Sequence, residues 1–326
     1  MATGSQDMPR RLAVIVGCFL AIYLLWGSTY LAIAFGLKSI PPFILMATRS
    51  IGGGMILLAL SWREIADIPA RTWANATICG LLFFLGCHGV LAYAQQMVPS
   101  GIAAIMLATI PFWVVLLEFV VPTERRPAPG TLIALLPGFA GVALIALQNV
   151  NERPIGTAAI ALLLGSALSW AAGSLLSKRT SSRASSLSLS GIQLTAGGIA
   201  LLLTSLAIGE FRRFSPGAVT APSVAALVYL VVAGSVVGFA AYHWLLDNVP
   251  TTQVTTYTFV NPVVAVMLGW LFLQESLSLA MLIGGLLVVA SVVAVWRAES
   301  RSPSDTVKER KNRARKSALA ANTSSS

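Results

Sequence analysis

From Thr72 to Leu117 the chain runs through 46 residues without a lysine, arginine, aspartate or glutamate. Seven further charge-free runs cover 12–37, 127–151, 154–177, 184–209, 214–246, 248–274 and 276–296. A membrane helix needs about 20 apolar residues, whereas a soluble domain carries charge on about a quarter of its positions. Here 10% of residues are charged and 56% hydrophobic, with a mean hydropathy of +0.80. The longest run divides at Pro99-Ser100-Gly101, and Arg49 alone interrupts one more apolar stretch at 42–60. The pattern predicts an all-α integral membrane protein of ten transmembrane helices, near 12–36, 42–60, 73–97, 100–121, 130–148, 157–177, 187–208, 222–246, 251–273 and 279–296. The first has 26 charge-free residues with further spans behind it, and reads as an uncleaved anchor, not a signal peptide.

Basic residues set the orientation, because loops rich in Lys and Arg stay in the cytoplasm. Seventeen of the 22 lie on the side of the N-terminus or in the C-terminal tail; Lys38, Arg153, Arg212 and Arg213 face the other side, and Arg49 is left in the membrane. Both termini are therefore expected in the cytoplasm. The net charge of +10 then reports topology, and no nucleic-acid partner is expected. The tail from 299 to 326, with KERKNRARK at 308–316, is expected to be disordered, a retention signal or a contact for anionic lipid. Cys18, Cys79 and Cys87 fall in apolar spans without metal spacing, and no GxSxG, HExxH or phosphate-loop motif occurs. No catalytic residue, metal or cofactor is expected.

The chain also repeats itself. Pro99 and Pro250, Pro111 and Pro262, and Glu124 and Glu275 are each 151 residues apart; Trp26 and Trp170, and Arg49 and Gln193, are each 144 apart. The halves are 12–148 and 149–298, after a short N-terminal segment 1–11. Each holds five helices, an odd number, so the second copy enters the membrane from the opposite face. That gives two inverted five-helix repeats, the arrangement that builds two gates around a midplane site.

The stretch YLLWGSTYLAIAFGLKSIPPFILMATRS at 23–50, with Trp26-Gly27 ahead of Pro41 and Arg49, resembles the opening of an EamA domain of the drug/metabolite transporter superfamily. Residues around Pro99 to Gly141 and Pro250 to Ser291 resemble the ends of the first and second such domains. The resemblance implies a secondary transporter of small polar metabolites in a bacterial inner membrane, commonly an exporter of amino acids or related compounds. The second-half opening, WAAGSLLSKR at 170–179, keeps the Trp and lacks the adjacent Gly.

The proline pairs suggest where a site would lie. A proline removes one helical hydrogen bond, so Pro111 frees the carbonyl of Leu107 and Pro262 that of Thr258. In lipid a freed carbonyl needs a neighbour, water or ligand. Pro111 and Pro262 are accordingly expected either as hinges for alternating access, with Asn261 facing substrate, or as static kinks filled by Ser and Thr side chains. Arg49 stands about 10 Å inside the second helix; it reads as a contact for an anionic or zwitterionic substrate or as a clamp on a neighbouring helix. His88 is a candidate proton carrier or a packing residue, and Glu118 is the other candidate proton carrier. Glu124 and Glu275 read as caps for the helices that follow them. Trp26, Tyr30, Tyr93, Trp170, Trp244 and Tyr257 include the expected cavity walls, Trp26 and Trp170 foremost because they recur.

Efflux of amphipathic drugs and uptake of a sugar or nucleoside remain as alternatives. A carrier of cationic drugs is expected to hold an acid near mid-membrane in its first helix, and this chain has none there. Protons are a candidate coupling ion. Gly52-Gly53-Gly54 and Gly284-Gly285 permit close helix packing in a monomer or a homodimer.

Overall fold

The computed structural model describes residues 7–98, 103, 106–120, 130–147, 156–180, 184–273 and 279–300; among them regular structure is helical and no strand occurs. The helix α1 runs from Asp7–Ala21 through a π-helical stretch, Ile22–Trp26, into Gly27–Gly36. Then come α2 (Pro42–Leu60), α3 (Ala70–Gly80, π-helical Leu81–Gly89, Val90–Ala94), α4 (Ile110–Val120) and α5 (Thr131–Leu147). The second half gives α6 (Thr157–Thr180), α7 (Ser186–Ala207), α8 (Ala221–Tyr229, π-helical Leu230–Val237, Gly238–Asn248), α9 (Tyr257–Leu273) and α10 (Leu279–Ser300). Six of these are long and apolar enough to cross a membrane: α1, α2, α3, α6, α7 and α8. Pro99, Glu124, Glu275 and the tail beyond Ser300 lie outside the described residues.

Two helix pairs pack most extensively, α2 on α7 and α5 on α10, both antiparallel. Small residues set their spacing. A Cβ added at Gly54 would meet Thr195 Oγ1 at 2.3 Å and the backbone of Thr195 at 2.7 Å, and one at Gly141 would meet the carbonyl of Gly284 at 2.5 Å. Between membrane helices, where water cannot drive apolar surfaces together, such backbone proximity is a main source of attraction.

The α2–α7 pair is latched at both ends by carboxylates. Pro41 and Pro42 open α2, so the chain itself offers no capping side chain there. Glu210, in a short helix just after α7, accepts from the amides of Phe43 (3.3 Å) and Ile44 (3.1 Å) and from Ser205 Oγ (2.8 Å). At the other end Glu64, in a short helix just after α2, accepts from Ser188 Oγ (2.9 Å) in the first turn of α7, where Ser185 is the N-cap. The hydroxyls of Ser185 and Ser188 hold its carboxyl below the usual range. Each helix of the pair thus carries, just past its own end, the acid that latches the start of its partner. Free helix-start amides and charge-assisted bonds give the expected size of effect: Glu210→Ala should lower stability by about 1–3 kcal/mol. Thermal melting in detergent would reveal it, with Glu210→Gln retaining part of the difference.

The proline helices differ from expectation. Pro111 does not sit mid-helix: α4 starts at Ile110, after a turn at Ala108-Thr109, so this proline occupies the first turn, where its missing N–H costs nothing. Pro262 does lie inside α9. The chain breaks earlier, at Thr255-Thr256, between a short helix Thr251–Val254 and α9. There Thr255, Thr256 and Thr258 turn their hydroxyls back onto carbonyls three or four residues before, at 2.6–3.2 Å. Such back-bonding bends helices.

Candidate substrate site

Where the π-helical stretches of α1 and α3 meet α2, α6 and α9, the bundle forms a cavity of about 40 Å³, enough for a few waters. Seven of the eight expected substrate-contacting residues line it: Trp26, Tyr30, Arg49, His88, Trp170, Tyr257 and Asn261. Leu107, just ahead of α4, and Thr258, whose carbonyl Pro262 leaves without the usual donor, line the same cavity. The breaks ahead of α4 and α9 therefore lie against one space.

The aromatic wall is continuous. Trp26 and Trp170 meet edge to face with centroids 5.6 Å apart, and Tyr257 packs on Trp26 at 4.8 Å. Each indole is anchored by its N–H: Trp26 Nε1 donates to Gly234 O at 2.9 Å, and Trp170 Nε1 to Tyr242 Oη at 3.1 Å. Gly27 has its own reason to follow Trp26, since a Cβ there would lie 2.6 Å from Val264 of α9. At the matching place the second half has the buried Ala171.

Arg49 is 3% exposed and lines the cavity. Its Nε donates to Ser235 Oγ of α8 at 3.0 Å, and its remaining N–H groups have no protein acceptor among the described residues. Among the described residues no Asp or Glu lines the cavity. Both expectations for Arg49 thus meet part of the geometry: one N–H braces α8, and the fork is left for something else. Asn261 is 3% exposed and its Oδ1 is buried without a partner; the same holds for Nδ1 of His88, whose ring lies 5.0 Å from Trp170. A buried polar atom without a partner costs about 1–3 kcal/mol, so two of them on one cavity mark a place shaped for a polar guest.

Three expected residues fall elsewhere. Tyr93 is 45% exposed and packs near Phe43, because five residues after His88 an α-helix has turned about 140° away. Behind the wall, buried Tyr242 of the other half touches Trp26, Trp170 and Tyr257. Glu118 is half-buried on α4, accepts from Thr252 Oγ1 at 3.4 Å and does not line the cavity. Trp244 is half-buried in α8, outside the cavity lining. Tyr242 carries a signal of its own, standing 149 residues after Tyr93, between the two repeat offsets.

A helical multi-pass membrane protein with a cavity of aromatic and polar side chains between broken helices is the class that fold and site define. The family model described as the EamA-like transporter family matches residues 13–147 and 157–297, and the chain belongs to that family, in the inner membrane. It is 35% identical to the uncharacterized inner membrane transporter YedA of Escherichia coli K12 over 82% of this chain and 86% of that one. It is 25% identical to a probable amino-acid metabolite efflux pump of Salmonella typhimurium, over 84% and 91% of the two chains. A solved crystal structure shares the fold, with a TM-score of 0.73 at 18% identity, over 89% of this chain and 98% of that one.

Proposed function

We propose that the protein is a secondary transporter that exports an amino acid or a closely related zwitterionic metabolite by alternating access. The observation that carries this reading is Arg49: a buried guanidinium, largely unbonded, on a cavity without a carboxylate. Such a charge is stabilised by an anionic group that arrives with the substrate, and the planar fork suits a carboxylate. Asn261 Oδ1 and the freed carbonyl of Thr258 are the acceptors for an ammonium group, and the aromatic wall takes a small side chain. A cationic drug would find Arg49 repulsive and no acid to bind, which disfavours drug efflux; a sugar or nucleoside would leave the guanidinium without a counter-charge.

The two halves act as inverted repeats in this reading, with ten spans and both termini in the cytoplasm. Its supports are the two matched segments of the family model, the antiparallel pairing of α2 with α7 and α5 with α10, and the meeting of Trp26 with Trp170. The small cavity belongs to a closed state, and opening it requires α4 and α9 to move at their breaks. Pro262→Ala restores a helical hydrogen bond in α9 and is expected to slow exchange about tenfold, a change of about 1.4 kcal/mol, while Pro111→Ala, in a first helical turn, has little effect. Unchanged exchange in Pro262→Ala would remove the hinge role.

Counterflow in proteoliposomes tests the whole proposal. Vesicles preloaded with amino acids, sugars, nucleosides or a cationic dye are diluted into labelled tracer; accumulation of an amino acid class is expected, and accumulation of the dye alone would overturn the reading.

A further inference from the structure

A second buried polar cluster lies outside the cavity, between α3, α6, α7 and α8. Ser177 Oγ shares a hydrogen bond with His243 Nε2 (2.8 Å) and accepts one from Gln193 Nε2 (3.1 Å); the Cys79 thiol lies beside this serine. Ser177, Gln193, His243 and Cys79 are fully buried. Gln193 stands 144 residues after Arg49, so the two sites occupy matching positions of the repeat. Two polar atoms of the cluster have no partner, His243 Nδ1 and Gln193 Oε1.

The charged and titratable surroundings all lie at one end. Asp247 follows His243 by four residues, one turn along the same face of α8, and acts on it electrostatically. Its carboxylate is exposed and accepts from Ser186 Oγ of α7 at 3.1 Å. From α6, Lys178 donates to Val249 O at 3.0 Å, and from α1, Arg11 donates to Asn248 Oδ1 at 3.3 Å; α3 presents Cys79 and α7 the uncharged Gln193. In the other direction, one turn back along α6, Ser174 Oγ bonds Tyr242 Oη at 2.6 Å, and Tyr242 accepts from Trp170 at the cavity wall. Polar groups thus lead from exposed Asp247 to the back of the substrate site.

We propose that His243 is the site of the coupling proton, loaded from the solution at the Asp247 end of α8. A proton passes from water through the Asp247 carboxylate to the ring, giving an imidazolium whose Nε2–H donates to Ser177 Oγ and whose Nδ1–H gains an acceptor in Gln193 or Asp247. Return of the proton to water restores the neutral ring. No other reactant is consumed. The proposal rests on the reading of the protein as a secondary transporter, and it moves the proton role away from His88 and Glu118.

Two measurements test it, one of them independent of any substrate. The chain has two histidines, so 15N-histidine NMR in nanodiscs, with His243→Gln for assignment, follows each ring separately. The His243 signal is expected to change to that of an imidazolium as the pH is lowered, and the transition to move in Asp247→Asn, an exposed change that spares the packing. A His243 ring that stays neutral throughout overturns the proposal even if amino acids are transported. In vesicles, a gradient of about one pH unit is expected to drive about tenfold accumulation by the wild type at one proton per substrate, with the drive lost in His243→Gln. Full gradient drive in that variant, or none in the wild type, overturns the proposal and leaves the substrate reading intact; a wild type that moves no amino acid overturns the substrate reading alone.

Discussion

Arg49→Ala is expected to reduce amino acid counterflow about a hundredfold, while Arg49→Lys loses about tenfold. A hydrogen bond to a charged group contributes about 1.5–3 kcal/mol, and the guanidinium offers two parallel ones to a carboxylate. Lysine keeps the charge and loses the fork. In the fold itself Arg49 makes one bond, to Ser235, so the melting temperature should fall far less than the transport rate. Counterflow and melting measured on the same preparation separate the two roles. A variant that melts early and still exchanges substrate at the normal rate would show Arg49 to be a brace between α2 and α8.

The other large effect belongs to the α2–α7 crossing. Gly54→Val places its Cβ 2.3 Å from Thr195 Oγ1, 2.7 Å from the Thr195 amide nitrogen and 3.0 Å from the carbonyl of Gly191. Backbone cannot rotate away as a side chain can, so the helices must separate and the contacts along the crossing are lost together. Overpacking costs about 1–3 kcal/mol where a core can adjust, and here about 3 kcal/mol or more is expected, seen as a collapse in the yield of monodisperse protein and in its melting temperature. Gly165→Ala is the matched control. Its Cβ meets nothing within 4 Å, so helix propensity alone acts and stability should stay constant or rise by up to about 1 kcal/mol. Equal behaviour of the two variants would mean that the crossing is loose.

The helices were legible because lipid leaves so little freedom: long charge-free runs can only be helices. Much of the cavity was legible for a related reason. A buried arginine, and tryptophans and prolines that recur at fixed offsets, are expensive to keep in a membrane without a use. What was not legible comes from packing between distant segments. Tyr242 backs the wall where α8, after a π-helical stretch, sets Gly234 against the Trp26 indole, and no local pattern in LVVAGSVV announces it. Tyr93 was placed by residue type, which ignores the face of the helix it occupies. The threonines at 251–258 hold a break that was assigned to Pro262. Glu64 and Glu210 lie in short helices between the spans, where a count of basic residues passes over them. Their separation of 146, close to the repeat offsets of 144 and 151, is the one trace of their pairing.

That pairing sets an order on how the protein can be made. Ser188 meets Glu64 as soon as it is synthesised, because its acid emerged 124 residues earlier. Phe43 must wait for Glu210, 167 residues later, which at about 5–20 residues per second means about ten to thirty seconds at the ribosome. Throughout that interval the start of α2 is uncapped, and the nascent first half depends on lipid headgroups, water or the insertion machinery to hold it. A ribosome that stalls between the two halves would leave a chain whose second helix has no finished end.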